Sequence, residues 1–100
     1  MPGFATEVTH GLGQAEALQR LKTFVDAARR QFGTEVSASH GQWNDNVLDF
    51  SLTTFGLTIT GNLAVEEDRA RVAGHLPLAA LPFRGRIEQS IASELQKALS

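Results

Sequence analysis

Apolar residues recur every three or four positions from about Gly13 to Gln31, and this spacing predicts an amphipathic helix. Arg29 and Arg30 fall in its last turn, where the helix dipole favours positive charge. Gly33 follows as a C′ residue that ends the helix. The apolar stripe consists of Ala17, Leu18, Leu21, Phe24, Val25, Ala28 and Phe32.

A second amphipathic helix is predicted from about Phe83 or Arg84 to Leu99. Pro82 lies just before it, a position that suits the start of a helix. Its apolar residues form a narrow stripe able to lie on a sheet. They recur every four positions, as Ile87, Ile91, Leu95 and Leu99.

Elsewhere the pattern changes to alternation of apolar and polar residues, which is typical of strands with one buried face. A first strand is predicted at Phe4 to Thr9, and three or four more follow the first helix. Short turns separate the later strands, so consecutive strands should pair antiparallel. The apolar positions of the later strands are Leu48, Phe50, Leu52, Leu57, Ile59, Leu63, Val65, Val72 and Leu76.

The predicted order is therefore β-α-β-β-β-β-α. Both helices and the sheet have one apolar side each, so the economical arrangement is an α+β two-layer sandwich. We expect one domain over residues 1–100, with an antiparallel sheet of four to five strands and both helices packed on one face. The other face should be wet and polar, with Asp49, Ser51, Thr58, Thr60, Asn62 and Arg71.

Composition narrows the classes of function. With 42% apolar and 20% charged residues, the 100-residue chain is typical of a globular protein. The net charge of −2 does not indicate the basic surface that proteins usually need to bind nucleic acid. The absence of cysteine excludes disulfides and thiolate chemistry. The start, "MPGFATEV", lacks the pattern of a signal peptide, and no apolar stretch reaches the roughly 20 residues of a membrane helix. We expect a cytoplasmic protein that does not span a membrane.

No catalytic constellation is visible in the sequence. The three histidines, His10, His40 and His75, have no partner at helical spacing and no HExxH cluster. There is no G-x-S-x-G elbow, dinucleotide fingerprint or P-loop. The adjacent carboxylates of the Glu66–Asp68 turn do not converge on one point, so a metal cage is not expected. We therefore predict no enzymatic activity, no catalytic residue, no metal and no cofactor.

Arg84 and Arg86 are the first candidates for an anion or partner contact. They lie at a helix start, where the helix dipole disfavours each positive charge by about a few tenths of a kcal/mol, and such a departure from local preference can mark a functional site. Two arginines there could hold a phosphate or carboxylate. The alternative, which we favour, is that they pair with Glu88 or with the Glu66–Asp68 turn. His10 is the third candidate, because it lies at a glycine-flanked bend beside a helix start.

Four segments together resemble the polyhydroxyalkanoic acid system family, small bacterial proteins linked to polyester storage granules. The resemblance extends from about Thr6 to Leu99. The matching segments, in order, are "HGLGQAEALQRL", "WNDNVLDFSL", "GLTITGNLAVEEDRARV" and "LPFRGRIEQSIASELQKAL". It implies a connection with polyhydroxyalkanoate metabolism or granules, and it supplies no catalytic residues.

Two functions stay open at this point, with an ester hydrolase based on His10 or His75 as a weaker third. The first is a non-catalytic accessory or interaction protein whose partner is a granule protein or the polyester granule surface. The second is a small-ligand module with a cavity between sheet and helices. The apolar segment "HLPLAALPF" could dock on a partner, but we expect it to pack under the second helix. A weak homodimer could form through the first strand or the strand near Val72.

Overall fold

The computed structural model describes residues 3–31, 38–54 and 56–100. It confirms the predicted α+β class and the order of elements. A six-residue 3-10 helix before the last helix was not predicted. The elements are β1 (Gly3–Thr9), α1 (Gln14–Gln31), β2 (Ala38–Asn44), β3 (Val47–Thr54), β4 (Leu57–Val65), β5 (Arg69–His75), the 3-10 helix (Leu78–Phe83) and α2 (Arg84–Leu99). The predicted stop at Gly33 and the last stripe position, Phe32, lie outside the described residues.

The five strands form one antiparallel sheet in the order β1-β5-β4-β3-β2. β5 lies between β1 and β4, so its backbone is paired on both sides. Our prediction that the strand near Val72 could pair with a second copy is therefore wrong. β1 is an edge strand, and the Ala5 amide donates a hydrogen bond to Glu88 Oε2 of α2 at 2.9 Å. The carboxylate thus covers one amide of that edge.

The turn between β2 and β3 uses residues suited to tight turns, as the sequence predicted. Asp45 has a φ of 54°, in the left-handed region that Asp and Asn tolerate better than most residues. The Asn46 side chain donates from Nδ2 to the Val65 carbonyl oxygen at 2.8 Å. The Val65 amide in turn donates to the Asn46 carbonyl oxygen at 2.8 Å. These bonds fasten the β2–β3 turn to the end of β4.

A pair of glycines lies at the centre of the helix-covered face. Gly74 of β5 pairs with Gly61 of β4, and the outer neighbours in the same row are Phe4 and Phe50. A Cβ atom on Gly74 would lie 2.8 Å from Phe4 Cε1, and one on Gly61 would lie 3.1 Å from Phe50 Cζ. The two aromatic rings therefore occupy the space that side chains at the glycines would need.

One hydrophobic cluster joins both helices to the alternate residues of the sheet, so both helices pack on the same face. Leu21, Val65 and Leu76 are the largest side chains that are fully buried. Within the described ranges, no polar or charged residue is classed as buried. Most of the polar positions predicted for the other face are exposed, namely Asp49, Thr58, Thr60, Asn62 and Arg71, and Ser51 is half-buried.

Candidate functional site

The chain leaves β5 through Leu76 and Pro77 and forms the 3-10 helix before entering α2. Pro77 has extended backbone angles, and the Ala80 amide donates to its carbonyl oxygen at 2.9 Å. Leu76 and Ala80 are buried in the core. One side of this segment therefore packs, as the sequence analysis expected, and it holds the rest of the segment in place.

Three large apolar side chains of the 3-10 helix are exposed to solvent. The exposed fraction is 76% for Leu78, 38% for Leu81 and 54% for Phe83. We call these three residues the apolar corner. The expectation that the whole segment packs under the second helix is wrong for them. With three residues per turn, Leu78 and Leu81 share a side of the helix that Ala80 does not occupy.

Arg84 and Arg86 continue directly from the apolar corner into α2. Both are exposed, and α2 begins without a side-chain cap and without an acidic residue in its first turn. Ion pairs in the described part of the chain involve other basic residues, and neither of these two arginines takes part. The favoured alternative, pairing with nearby acids, is therefore wrong.

The acids expected to neutralise the two arginines have other partners. Glu88 accepts from the backbone of β1, as described above. Glu66 pairs with Arg71 Nε at 3.0 Å. Asp68 accepts two hydrogen bonds from Arg69 at 3.0 Å, and those bonds hold the pKa of Asp68 below its ordinary value. Glu66 and Asp68 are thus paired with arginines of β5.

Glu67, the remaining acid of that turn, has a role that the sequence analysis missed. Its Oε2 accepts from the Gln14 amide at 3.2 Å, at the first residue of α1. A carboxylate at a helix N-terminus satisfies an amide that has no partner within the helix, and its charge suits the dipole. Gln14 also donates from Nε2 to the Val65 carbonyl oxygen at 2.9 Å. The turn therefore serves as a docking point for α1.

His10 lies at the same end of the sheet as this turn. Its Nδ1 accepts from the Leu12 amide at 3.2 Å, so the ring proton is on Nε2, which donates to the Glu66 carbonyl oxygen at 3.1 Å. The His10 amide donates to the Asp68 carbonyl oxygen at 2.9 Å. Both ring nitrogens are therefore engaged in joining the β1–α1 loop to the β4–β5 turn.

The structure does not bring the three candidates together. His10 adjoins the Arg69 end of β5, whereas Arg84 and Arg86 follow from its His75 end. The seven residues of β5 separate these ends by roughly 20 Å. Only the two arginines lie close together along the chain, where they directly follow the apolar corner.

His10→Ala is expected to lower the free energy of unfolding by about 1–2 kcal/mol, because the Leu12 amide and the Glu66 carbonyl each lose a half-buried partner. Urea denaturation monitored by circular dichroism measures this change. His40→Ala is the matched control, since His40 is exposed on β2 and its loss should change stability little. Equal stability of the two variants would contradict a joining role for His10.

Trp43 lies on the edge strand β2 and is half-buried against the core. Lys22 of α1 places its Nζ 5.5 Å from the centroid of the indole ring, within range of a cation–π contact. The tryptophan thus packs against the core at the edge of the sheet.

Two surface depressions of the described residues lie on the outer sides of the helices. One, of about 270 Å³, is lined by Arg86 and by polar residues that follow it on α2. The other, of about 370 Å³, lies along α1 beside Leu18 and Lys22. Between the layers, the described residues contribute the fully buried Leu21, Val65 and Leu76. This packing does not favour a ligand cavity between sheet and helices.

These features define a two-layer α+β protein whose candidate site is an exposed apolar corner continued by two arginines. The chain belongs to the family described as "Putative polyhydroxyalkanoic acid system protein", whose model matches residues 5–99. This match confirms the resemblance seen in the sequence. No curated protein matches the chain. Over the described ranges, neither long helix has the length and apolar character needed to cross a bilayer.

Proposed function

We propose that this protein is a non-catalytic accessory protein of the polyhydroxyalkanoate system that acts in the cytoplasm and binds the polyester granule surface. The apolar corner carries this proposal. Membership of the family supports the connection with polyhydroxyalkanoic acids. The corner supplies the kind of surface that an apolar polymer particle requires, since exposed apolar side chains gathered in one place mark interaction sites.

The size of the corner suits reversible attachment. Complete burial of a leucine or phenylalanine side chain stabilises by about 1.5–3 kcal/mol. Leu78, Leu81 and Phe83 are partly exposed in the free protein, so their burial against the polymer would contribute about 3 kcal/mol together. That corresponds to a change of roughly 100-fold in the bound-to-free ratio.

The state of His10 supports the non-catalytic part of the proposal. An ester hydrolase based on this residue would need a ring nitrogen free to take or give a proton. In the structure, Nδ1 accepts from the Leu12 amide and Nε2 donates to the Glu66 carbonyl oxygen. Any activity at this ring would require both bonds to break.

Cosedimentation with protein-free particles of amorphous poly(3-hydroxybutyrate) tests the proposal. The wild-type chain should pellet with the particles, and Leu78→Ser/Phe83→Ser should lower the bound-to-free ratio by roughly 50-fold. Binding of the wild-type chain to native granules, without binding to protein-free particles, would contradict binding to the polyester surface. It would indicate that the partner is a granule protein.

A matched pair of single variants tests whether the location of the apolar residue matters. Leu81 and Leu52 are exposed to similar degrees, 38% and 37%, but Leu52 lies on β3, which β4 separates from β5, and not on the 3-10 helix. Leu81→Ser should weaken binding several-fold, and Leu52→Ser should leave it unchanged. Equal effects of the two variants would contradict a specific role for the corner.

A further inference from the structure

We infer that Arg84 and Arg86 make the apolar corner selective for polyester surfaces that carry carboxylate chain ends. The inference rests on the proposed function and adds a chemical requirement to it. The apolar side chains provide contact with the polymer, and the arginines require negative charge at its surface.

The position of the two arginines is unfavourable for the helix itself. Positive charge destabilises the first turn of a helix and stabilises the last. Arg29 and Arg30 of α1 follow this rule, since they occupy its last turn. Arg84 and Arg86 oppose it at the start of α2, where the first turn contains no acidic residue. Helix stability therefore does not explain why basic residues lie here.

In the described residues, neither arginine forms an ion pair with Glu88, the nearest acid along the chain. Glu88 is engaged with the Ala5 amide at 2.9 Å, on the side of α2 that faces the edge of β1. Arg20, Arg69 and Arg71, in contrast, each pair with a carboxylate within 3.5 Å. In a chain with a net charge of −2, two exposed arginines without an ion pair in the described residues thus follow directly after exposed apolar side chains.

The chemistry of a polyhydroxyalkanoic acid matches this combination. Each chain is an aliphatic polyester that ends in one carboxyl group, which is ionised near neutral pH. An ionised group is costly to bury in an apolar medium, so these ends collect at the particle surface. Arginine can bind such a carboxylate with two parallel N–H donors. An apolar surface dotted with carboxylates is therefore complementary to the corner and the two arginines.

The surroundings of Arg86 fit an oxygen-rich ligand. Arg86 lines the shallow depression on α2 with Gln89, Ser90 and Ser93, which lie three, four and seven residues further along the same helix face. Amide and hydroxyl groups donate hydrogen bonds to the carbonyl oxygens of an ester or a carboxylate. Glu94, which is eight residues from Arg86 along α2, also lines the depression.

The test compares two preparations of poly(3-hydroxybutyrate) particles, one with free carboxyl ends and one with methyl-ester ends. At low salt, the wild-type chain should bind the free-acid particles about fivefold more tightly, the size expected for two exposed ion pairs. The preference should disappear at 0.5 M NaCl, because salt screens exposed charges. It should also disappear in Arg84→Gln/Arg86→Gln at low salt.

Arg29→Gln/Arg30→Gln is the matched control, because it removes two exposed positive charges at the end of α1 and should keep the preference. Equal wild-type binding to both preparations would overturn the inference and leave the proposed function standing. Failure of the wild-type chain to bind either preparation would overturn both. Urea midpoints of the variants close to wild type would show that the changes act on binding and not on folding.

Discussion

Gly74→Ala is expected to lower the free energy of unfolding by about 3 kcal/mol, the upper end of the range for inserting a methyl group into a packed core. A Cβ atom there would clash with the Thr60 carbonyl oxygen and lie 2.8 Å from Gly61 Cα and from Phe4 Cε1. Two of these three neighbours belong to the backbone of β4. They cannot rotate away, so the strands would have to separate.

Gly85→Ala is a control that makes the same glycine-to-alanine change. It is expected to raise the free energy of unfolding instead of lowering it. Gly85 lies in the first turn of α2, and a Cβ atom there would have no neighbour within 4 Å. Alanine should stabilise this position by about 0.5–1 kcal/mol, since it restricts the unfolded chain and favours the helix. Chemical denaturation of both variants measures the difference. A Gly74→Ala protein as stable as wild type would contradict close packing at the glycine pair.

Leu21→Ala is expected to lower the free energy of unfolding by about 3–4 kcal/mol. Leu21 is fully buried in the layer between α1 and the sheet. Its truncation removes the transfer free energy of the lost methyl and methylene groups and leaves a cavity that the surrounding core fills only in part. Thermal denaturation should show a correspondingly large fall in Tm.

Leu78→Ala removes the same atoms from the apolar corner, where 76% of the residue is exposed. Its effect on the free energy of unfolding should stay within about 0.5 kcal/mol. If Leu78→Ala destabilised the protein as much as Leu21→Ala, Leu78 would belong to the core. The surface proposed to bind polyester would then not exist.

The layers of the fold could be predicted because hydrophobic period is a local property. The helical stripe that includes Leu21 and the alternation from Leu57 to Val65 can each be recognised within a dozen residues. Short turns then made consecutive strands antiparallel. The position of β1 could not be predicted, because its pairing partner, β5, lies more than sixty residues along the chain. Because this separation hides the pairing of β5 with β1, the prediction of an edge strand near Val72 is wrong.

Only part of the candidate site could be predicted from the sequence, because the rest depends on contacts between residues that are distant along the chain. The charges of Arg84 and Arg86 at a helix start could be read directly. Whether Glu88 neutralises them depends on its bond to the Ala5 amide, across 83 positions. The exposure of Leu78 depends on whether another element covers it, and a six-residue 3-10 helix is too short to show a clear period.

The pairing of β1 with β5 has a consequence for synthesis. Strands β2 to β5 form a meander with neighbouring partners, which can assemble as soon as they leave the ribosome. β1 is made first, yet its partner strand is complete only after His75 has been added. Until then, the apolar side chains of Phe4 and Val8 lack their native contacts with β5. The nascent chain is therefore most prone to aggregation just before β5 emerges.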